Sequence, residues 1–335
     1  MKLETNFSLL KHNTFGIDAK CNTFVEYTCI DELRQFIVDA KGQSQPILHI
    51  GGGSNLLFLK DFEGIILHSK IKDIEVVEES DDYVLVKAGA GVVWDDFVQF
   101  CVNNNFYGAE NLSYIPGEVG ASPVQNVGAY GVEAKDIIYK VEVVDAKTAE
   151  LVVLDGNDCG FGYRYSNFKG PWKDKYYVHH VVFKLGKSAS YKLEYGKIKE
   201  TLGDKPLSLK NIRETIVAIR KDKLPDPKEI GSAGSFFTNP VVEKSVFENI
   251  HKDYENMPFY LLADGKVKIP AGWLIEQCGW KGKNYKNVGV YEKQSLIIVN
   301  RGGAIGAEVA ELAQLICADV KVKFGIVINP EVCYI

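Results

Sequence analysis

Ser235 stands between a glycine and two phenylalanines in the segment GSAGSFFTNP (231–240). Small residues before it let the backbone turn and approach another group closely, and Phe236 and Phe237 indicate an apolar surface that excludes water. The hydroxyl of such a serine either forms a hydrogen bond within a turn or takes part in a reaction. A serine nucleophile needs a base, but no GxSxG segment surrounds any serine and no histidine lies near Ser235 in sequence. A catalytic triad is therefore not supported.

Two glycine-rich segments have the composition of a cofactor-binding loop. GGGSN (51–55) follows an apolar run, and its backbone N–H groups, hydroxyl and amide could contact a phosphate. A tight turn between strands is an equally good reading of that segment. NLSYIPGEVGASPVQNVGAYGVE (111–133) could wrap a flat cofactor, although a well-packed Ω-loop would have the same composition.

Arg164 and Glu331 are two charged residues in unusual settings. Arg164 lies between tyrosines in GFGYRYSNFK (160–169), where a guanidinium can stack and bind a carboxylate. Glu331 follows a proline in the final segment NPEVCYI (329–335). A surface arginine and a solvated edge carboxylate are the simpler interpretations of either residue taken alone.

Strands and helices must position these residues, and their predicted order is mixed. Apolar runs and alternation predict strands within the ranges 45–55, 64–69, 83–92, 136–155, 176–186, 295–300 and 326–335. Helical periodicity with glycine or asparagine stops predicts helices over 31–42, 92–105, 208–223, 271–279 and 306–325. No regular strand–helix–strand rhythm runs through them, which favours an α+β fold.

Composition excludes several classes of protein. A net charge of −5 over 335 residues argues against a nucleic-acid-binding protein. No apolar segment reaches the length of a membrane span, and the start MKLETNFSLLKHNTFG has neither the apolar core nor the cleavage site of a signal peptide. Seven scattered cysteines without a CxxC pair indicate reduced thiols in a cytoplasmic protein. The six histidines lack helix-face spacing, so no metal site is predicted. The sequence also has no GxxxxGK[ST] loop and no Rossmann fingerprint.

The order and wording of these motifs resemble one family along nearly the whole chain, from NTFGIDAKC (13–21) to the last strand. GGGSN, IPGxVGxSPxQNxGAYGxE, GYRxSxFK, KLPDPxxxGxAGSFFxNP, AGWLIxQ and a terminal PEV together are similar to the UDP-N-acetylenolpyruvoylglucosamine reductases. The segment SASYKLEYGKIKETL (188–202) further resembles the branch with an extra tyrosine loop over the substrate.

The resemblance implies a flavoenzyme of defined architecture. It implies an FAD-binding fold of the vanillyl-alcohol oxidase type, built from two α+β subdomains, with a C-terminal α+β substrate-binding domain. The expected divisions are 1–70 and 71–220 for the two subdomains and 221–320 for the substrate domain, with strand 321–335 joining the first subdomain. Non-covalent FAD and NADPH are the implied cofactors, a UDP-sugar is the implied substrate, and we expect a monomer.

Site residues carried over from the family fall into three groups. Arg164 and Glu331 would stabilise the enolate that forms on the substrate, and Ser235 would donate a proton to it. Glu331 would serve best as a neutral acid that donates a hydrogen bond. The implied FAD contacts are Gly51, Gly52, Gly53, Ser54, Asn55, Gly117, Gly120, Ser122, Gln125, Asn126, Gly128, Tyr130 and Arg164. The implied substrate contacts are Tyr195, Lys223, Asn239, Tyr260, Lys268 and Gln294.

One position departs from the family pattern. Cys333 stands where relatives carry an arginine two residues after the PEV glutamate, so one substrate contact is missing from the pattern. Two alternatives remain: an FAD-linked sugar or hydroxy-acid oxidase of the same fold, and a UDP-sugar-binding protein that has lost catalysis. The oxidases commonly tether flavin through histidine or cysteine, and GGGSN contains neither. The presence of Arg164, Ser235 and Glu331 speaks against the binding protein.

Overall fold

The computed structural model describes residues 1–42 and 44–335. Within them the α-helices are α1 (Ile30–Asp39), α2 (Trp94–Asn103), α3 (Ser122–Gln125), α4 (Ile198–Leu202), α5 (Leu209–Lys223), α6 (Lys244–His251), α7 (Ala271–Gln277) and α8 (Gly306–Phe324). The strands are β1 (Lys2–Ser8), β2 (Lys20–Tyr27), β3 (Ile47–Ile50), β4 (Leu56–Leu57), β5 (Phe62–Ser69), β6 (Ile74–Glu79), β7 (Tyr83–Gly89), β8 (Gly128–Ala129), β9 (Val132–Glu133), β10 (Ile138–Asp145), β11 (Leu151–Asp155), β12 (Tyr176–Gly186), β13 (Val241–Val242), β14 (Tyr260–Leu261), β15 (Val267–Lys268), β16 (Asn284–Tyr285), β17 (Val288–Val290), β18 (Ile298–Asn300) and β19 (Cys333–Tyr334).

The described chain divides into two compact units, each built from separated segments. Unit 1 consists of Met1–Phe7, Cys21–Gly52 and Glu63–Asp222, and unit 2 of Ser8–Lys20, Gly53–Phe62 and Lys223–Ile335. The chain therefore leaves unit 1 and enters unit 2 inside the glycine segment GGGSN.

Unit 1 contains a sheet with the strand order β1-β2-β5-β3, in which β3 runs parallel to β5. Helix α1 covers it because Leu33, Phe36 and Ile37 recur at helical spacing on one face. These side chains pack with Tyr27 and Leu67 of the sheet in one buried cluster.

Unit 1 also contains an antiparallel sheet with the order β11-β10-β12-β7-β6. The central strand β12 is buried over most of its length. The rings of Phe97 and Phe183 lie 4.3 Å apart, and Trp94 contacts both at 5.6–5.8 Å, so α2 packs on this strand. Aromatic and branched residues therefore hold the sheet that carries the 111–133 loop.

Helix α5 in unit 1 is joined to α2 by an ion pair. The Arg213 guanidinium donates to both carboxylate oxygens of Asp95 at 2.7 and 2.8 Å, and its Nε donates to Gln99. Helix α5 also contributes Ile212 and Ile216 to an apolar cluster with the 188–202 segment. The segment that resembles the tyrosine loop is thereby attached to α5.

Unit 2 contains the sheets β13-β15-β14 and β16-β17-β18 and the parallel pair β19-β4. Helix α8 begins at Gly306, where an added Cβ would collide with the backbone carbonyl of Phe58. The helix ends before Gly325, which has a φ of +69° and forms the left-handed cap that glycine favours. Glycines at both ends thus fix the length of α8.

The α+β class and the predicted helices are confirmed in the described residues. Two strand predictions were too long. The strand predicted over 295–300 begins at Ile298, because Ile297 donates to the carbonyl of Gln294 in a turn. The strand predicted over 326–335 is reduced to Cys333–Tyr334. The domain divisions at 70, 220 and 320 stay a prediction. No helix in the part of the chain that is described is long and apolar enough to cross a membrane.

Candidate active site

The glycine segment and the 111–133 loop meet within unit 1. A Cβ added to Gly51 would lie 3.4 Å from the side chain of Glu118, and a Cβ added to Gly52 would lie 3.4 Å from the Cα of Gly117. Side chains at these positions would fill the space between the two segments. The structure therefore brings together two glycine-rich segments that are far apart in sequence.

The loop that faces Gly51 and Gly52 is held by its backbone on the residue that follows strand β7. Gly120 donates to the carbonyl of Ala90 at 3.0 Å, and a Cβ at Gly120 would lie 2.7 Å from the Cβ of Ala90. The buried Ser122 hydroxyl donates to the carbonyl of Val119 at 2.8 Å. Gly120 is therefore needed for a close backbone approach, and Ser122 fixes the shape of the loop.

Arg164 lies beside the next part of the same loop. Its Nη2 donates to the carbonyl of Gly128 at 2.9 Å, and a Cβ at Gly128 would lie 3.0 Å from Nη1. The guanidinium is half-buried and lies 5.3 Å from the ring of Tyr163. Arg164 itself has a φ of +54°, a strained conformation for a non-glycine residue that often marks functional positions.

Gln125, Asn126 and Tyr130 complete this group of residues. The Gln125 amide oxygen accepts a hydrogen bond from Lys169 at 2.8 Å. Asn126 is fully buried, and its amide donates to the carbonyl of Gly162 at 2.9 Å. Burial raises the pKa of Tyr130. Three residues predicted to contact FAD are therefore held by specific polar or packing contacts.

Tyr195 approaches the loop from the 188–202 segment. A Cβ added to Gly131 would lie 3.4 Å from the Cβ of Tyr195, and one added to Gly196 would lie 3.5 Å from the Tyr130 ring. The Tyr195 side chain is 39% exposed. The predicted substrate residue Tyr195 and the predicted cofactor residue Tyr130 are thus neighbours in unit 1.

The remaining part of the glycine segment belongs to unit 2. Gly53 has a φ of +62°, and its buried backbone lies directly against the carbonyl of His12. The Asn55 amide donates to the carbonyl of Glu331 at 3.3 Å, and Cys333 donates to the carbonyl of Asn55 at 3.0 Å. Ser54 lies between these two anchored residues. The segment after Gly52 is therefore tied to the end of the chain.

Ser235 and Glu331 occupy neighbouring backbone positions in unit 2. Glu331 donates its N–H to the carbonyl of Phe236 at 2.7 Å, and Phe237 forms an antiparallel bridge with Pro330. Phe236 and Phe237 are 0% and 1% exposed, whereas Ser235 is exposed. Ser235 therefore lies at the edge of a buried aromatic wall, and the backbone that follows it pairs with the backbone of Glu331.

Most of the predicted substrate residues gather near the start of α7 in unit 2. The Asn239 side chain accepts the N–H of Ala271 at 2.9 Å, and the Gln294 side-chain oxygen lies 3.0 Å from the position of a Cβ on Gly272. Tyr260 is paired with Lys268 across β14 and β15, and the Lys268 ammonium lies 5.4 Å from the Tyr260 ring. Lys223, the last residue of α5, is exposed.

The residues present fit a phosphate-bearing flat cofactor. Gly52 is an exposed glycine whose backbone lies along the 117–121 loop without a side chain between them. Glycine backbone N–H groups with a hydroxyl and an amide next in sequence, as in Ser54 and Asn55, are the donors that a pyrophosphate requires. Side chains on Gly51 and Gly52 would fill the space between this segment and the 117–121 loop.

Sequence reasoning missed one cation beside the cofactor loop. Arg220 on α5 donates to the carbonyl of Tyr114 at 3.0 Å. Burial lowers the pKa of its guanidinium, while Tyr130 and Asp95 act in the opposite direction. The sequence did contain an indication of Arg220. It lies three residues before Lys223 on the same helix, so the two cations share one helical face.

Comparisons with known proteins agree with these observations. Residues 226–335 match the family model "UDP-N-acetylenolpyruvoylglucosamine reductase, C-terminal domain", and residues 22–155 match "FAD binding domain". The UDP-N-acetylenolpyruvoylglucosamine reductase of Bacteroides fragilis (strain YCH46) is 53% identical over 334 residues, covering 99% of this chain and 100% of the relative. That of Porphyromonas gingivalis (strain ATCC BAA-308 / W83) is 46% identical over 337 residues, covering 100% of both chains.

A solved structure has the same fold. The crystal structure of UDP-N-acetylenolpyruvylglucosamine reductase from Thermus caldophilus aligns with a TM-score of 0.71, at 22% identity, over 100% of this chain and 99% of that one. The FAD-binding part of the fold prediction is thereby confirmed together with the match over residues 22–155.

Proposed function

Because the chain belongs to the UDP-N-acetylenolpyruvoylglucosamine reductase family, we propose that Arg164, Ser235 and Glu331 perform the proton chemistry and charge stabilisation of its reaction. The enzyme is a UDP-N-acetylmuramate dehydrogenase. It reduces the enolpyruvyl ether of UDP-N-acetylglucosamine enolpyruvate, and the product, UDP-N-acetylmuramate, is a peptidoglycan precursor. FAD is its cofactor and NADPH is its hydride donor.

FAD bound to this protein would supply hydride transfer from NADPH to the terminal carbon of the enolpyruvyl double bond. The residues that would hold it are the glycines of 51–53, the loop from Gly117 to Tyr130, and Arg164. Negative charge then develops on the adjacent substrate carbon and on its carboxylate. The protein must stabilise this charge and deliver one proton to that carbon.

Ser235 is proposed as the proton donor, and the backbone pairing of 236–237 with 330–331 is the observation that carries this proposal. A serine hydroxyl is a weak acid in water, but it can protonate a strongly basic carbanion where water is excluded. The buried rings of Phe236 and Phe237 supply the apolar surface for this exclusion. Glu331, one backbone hydrogen bond away, would donate to or orient the developing enolate.

Arg164 is proposed to bind the substrate carboxylate. A guanidinium presents a planar fork of donors that matches a carboxylate, and its charge offsets that of an enolate. Its Nη2 donates to the carbonyl of Gly128. This hydrogen bond helps to fix the plane of the guanidinium.

Recognition of the UDP-sugar is proposed to involve Tyr195, Lys223, Asn239, Tyr260, Lys268 and Gln294. Lysines and tyrosine hydroxyls suit a diphosphate, and amides suit uridine or sugar hydroxyls. Cys333 offers no such charge where the family pattern has arginine. We further propose that the enzyme acts as a monomer in the cytoplasm, where the free thiols seen in the described residues stay reduced.

Stopped-flow kinetics of Ser235→Ala tests the proton-donor role. NADPH should bleach the flavin at the wild-type rate, because Ser235 has no part in that half-reaction. Reoxidation by the enolpyruvyl substrate should slow by about 10²–10⁴-fold, the range for loss of a general acid. Ser245→Ala, at an exposed serine on α6, is the control and should leave both half-reactions unchanged. Equal slowing of both half-reactions by Ser235→Ala would refute the role.

The oxidase alternative is not favoured, because relatives at 46–53% identity over the whole chain are reductases. One anaerobic absorption experiment distinguishes a reductase from an oxidase. A reductase flavin bleached by NADPH under anaerobic conditions regains its colour when UDP-N-acetylglucosamine enolpyruvate is added. An oxidase flavin would recover only when oxygen is admitted.

A further inference from the structure

Glu142, His179 and His180 form a cluster of metal-ligating side chains in unit 1 that the reductase chemistry does not use. One ligand atom from each of the three lies within 4.8 Å of the others. The Nδ1 atoms of His179 and His180 are 2.7 Å apart. Both histidines are buried, at 3% and 5% exposure, while Glu142 is half-buried at the edge of the cluster.

A β-bulge explains why adjacent histidines meet. Successive side chains on a regular strand point to opposite faces, so neighbours in sequence cannot normally touch. In the pairing of β10 with β12, Glu142 lies opposite His180, but Val143 lies opposite Val178, so His179 is an extra residue. This bulge brings both imidazoles together opposite Glu142. Bulges of this kind re-aim side chains at functional sites.

Asp73 fixes the orientation of His180. Its carboxylate oxygens lie 3.1 and 3.3 Å from His180 Nε2. When Nε2–H donates to this carboxylate, Nδ1 is the nitrogen with a free lone pair, and it is the Nδ1 that faces His179. A histidine whose second nitrogen donates to a carboxylate is the usual arrangement around a bound metal ion.

The charged groups around the cluster are two carboxylates and one ammonium. Asp73 and Glu142 are the carboxylates, and they attract a cation. Lys87 lies 3.9 Å from a Glu142 oxygen and 3.2 Å from Glu75, so it is the competing cation.

We propose that Glu142, His179 and His180 bind a divalent transition-metal ion of the Zn²⁺ class, with Asp73 as the positioning residue for His180. Two imidazole nitrogens and one carboxylate oxygen form a ligand set that zinc accepts, with a further position left for water. Mg²⁺ and Ca²⁺ prefer oxygen-only ligands, so they are the wrong class for this cluster.

Metal binding changes the position of one proton in the cluster. The 2.7 Å distance between the two Nδ1 atoms indicates a shared proton, donated by one imidazole to the other. With Nε2–H of His180 held by Asp73, that proton sits on Nδ1 of His179. It moves to Nε2 of the same ring when the ion takes its place. The ion would then link β10 to the bulge of β12.

The bulge is also connected to the cofactor loop. Ala90 donates its N–H to the carbonyl of His179 at 2.9 Å, and Gly120 donates to the carbonyl of Ala90 at 3.0 Å. Two successive hydrogen bonds thus join the proposed metal site to the loop predicted to contact FAD. The site is a structural one under this proposal, and it holds whether or not the roles of Ser235, Arg164 and Glu331 are correct.

Calorimetric titration of the FAD-loaded, chelator-treated protein with ZnCl₂ tests the proposal. The wild-type protein should bind one Zn²⁺ per chain in a saturable step, and MgCl₂ should give no such step. Glu142→Gln and His180→Gln should abolish the step, and Asp73→Asn should weaken it by at least about tenfold. Lys87→Met should strengthen it. His251→Gln, at a histidine outside the cluster, is the matched control and should bind as the wild type does.

Two results would overturn the site. One is wild-type protein that shows no saturable binding of Zn²⁺. The other is Glu142→Gln protein that binds Zn²⁺ as tightly as the wild type. Circular dichroism and FAD binding report whether each variant is folded. If His180→Gln does not fold, Glu142→Gln decides the question, because its half-exposed side chain can be replaced without leaving a buried cavity.

Discussion

Replacing Gly53 by alanine tests whether the glycine segment is built on a close backbone contact. Gly53 has a φ of +62°, and an added Cβ would collide with the carbonyl oxygen of His12 and lie 2.8–2.9 Å from His12 C and Asn13 Cα. The backbone of His12 and Asn13 cannot easily move away from an added Cβ. The buried Asn13 side chain donates to the carbonyls of Leu9 and Ile17 at 2.8–2.9 Å and accepts from the Ile17 N–H.

The expected loss follows from two separate contributions. A left-handed conformation costs an alanine about 1–2 kcal/mol. Overlap with a backbone that cannot shift adds about 1–3 kcal/mol, as for overpacked cores. We therefore expect Gly53→Ala to lower the free energy of unfolding by about 2–5 kcal/mol. FAD affinity should fall as well, because Ser54 and Asn55 follow the displaced residue.

Gly265→Ala is the matched control in the same unit. Gly265 has a φ of +81°, but nothing lies within 4 Å of its Cβ position. It should therefore show the conformational cost alone, about 1–2 kcal/mol, and leave FAD affinity unchanged. Both substitutions make the same change in the unfolded chain, so the difference between them isolates the contact with His12.

Urea unfolding followed by tryptophan fluorescence measures both variants. Trp273 and Trp280 lie in unit 2 and report on the part of the chain that contains both glycines. The reasoning predicts that Gly53→Ala loses more stability than Gly265→Ala by at least about 1 kcal/mol. Equal losses in the two variants would show that the approach to His12 is not a steric requirement.

Three further outcomes are expected. Arg213→Met should lower the free energy of unfolding by about 3 kcal/mol at pH 7, because it leaves Asp95 without its partner. Arg301→Met breaks a more exposed ion pair and should lower the free energy of unfolding by less than about 1 kcal/mol. Burial raises the pKa of Asp95, but Arg213 holds it below the ordinary value of 3.8. The stability difference between wild type and Arg213→Met should therefore be complete at pH 7 and shrink as the pH falls through the range in which Asp95 is protonated in the variant but still ionised in the wild type, which acid titrations of unfolding would show. Lys268→Met should raise KM for the UDP-sugar and leave flavin reduction by NADPH unchanged in stopped-flow, because Lys268 is proposed to bind the diphosphate.

Local sequence patterns were enough to predict the strands that are buried and the helices that glycines bound at both ends. The run 176–186 was predicted as a strand and forms β12 over that range, because buried strands show a continuous apolar sequence. The helix predicted over 306–325 forms α8 over Gly306–Phe324, since glycines mark both of its ends. Strand β6 was not predicted, because most of its residues are exposed and it carries few of the alternating apolar positions that indicate a strand.

Long-range pairings could not be read from local patterns. Ser235 and Glu331 lie far apart in sequence, and the backbone pairing of residues 236–237 with 330–331 makes them neighbours. Family resemblance named both residues without giving this geometry. The contact between His179 and His180 could not be predicted either, because spacing on a helix face is the sequence pattern that indicates histidine ligands, whereas a bulge in a strand brings these two together.

The division of the chain into interleaved segments has a consequence for synthesis on the ribosome. Once Asp222 has emerged, every segment of unit 1 is present, but unit 2 still has only Ser8–Lys20 and Gly53–Phe62. Unit 1 can therefore fold during translation. The two segments of unit 2 have no folding partner until the last third of the polypeptide has been synthesised. Chaperones that bind nascent chains would find their exposed apolar residues, such as Phe15 and Phe58, during that interval. A truncation at residue 222 should likewise release a folded unit 1 with two protease-sensitive loops.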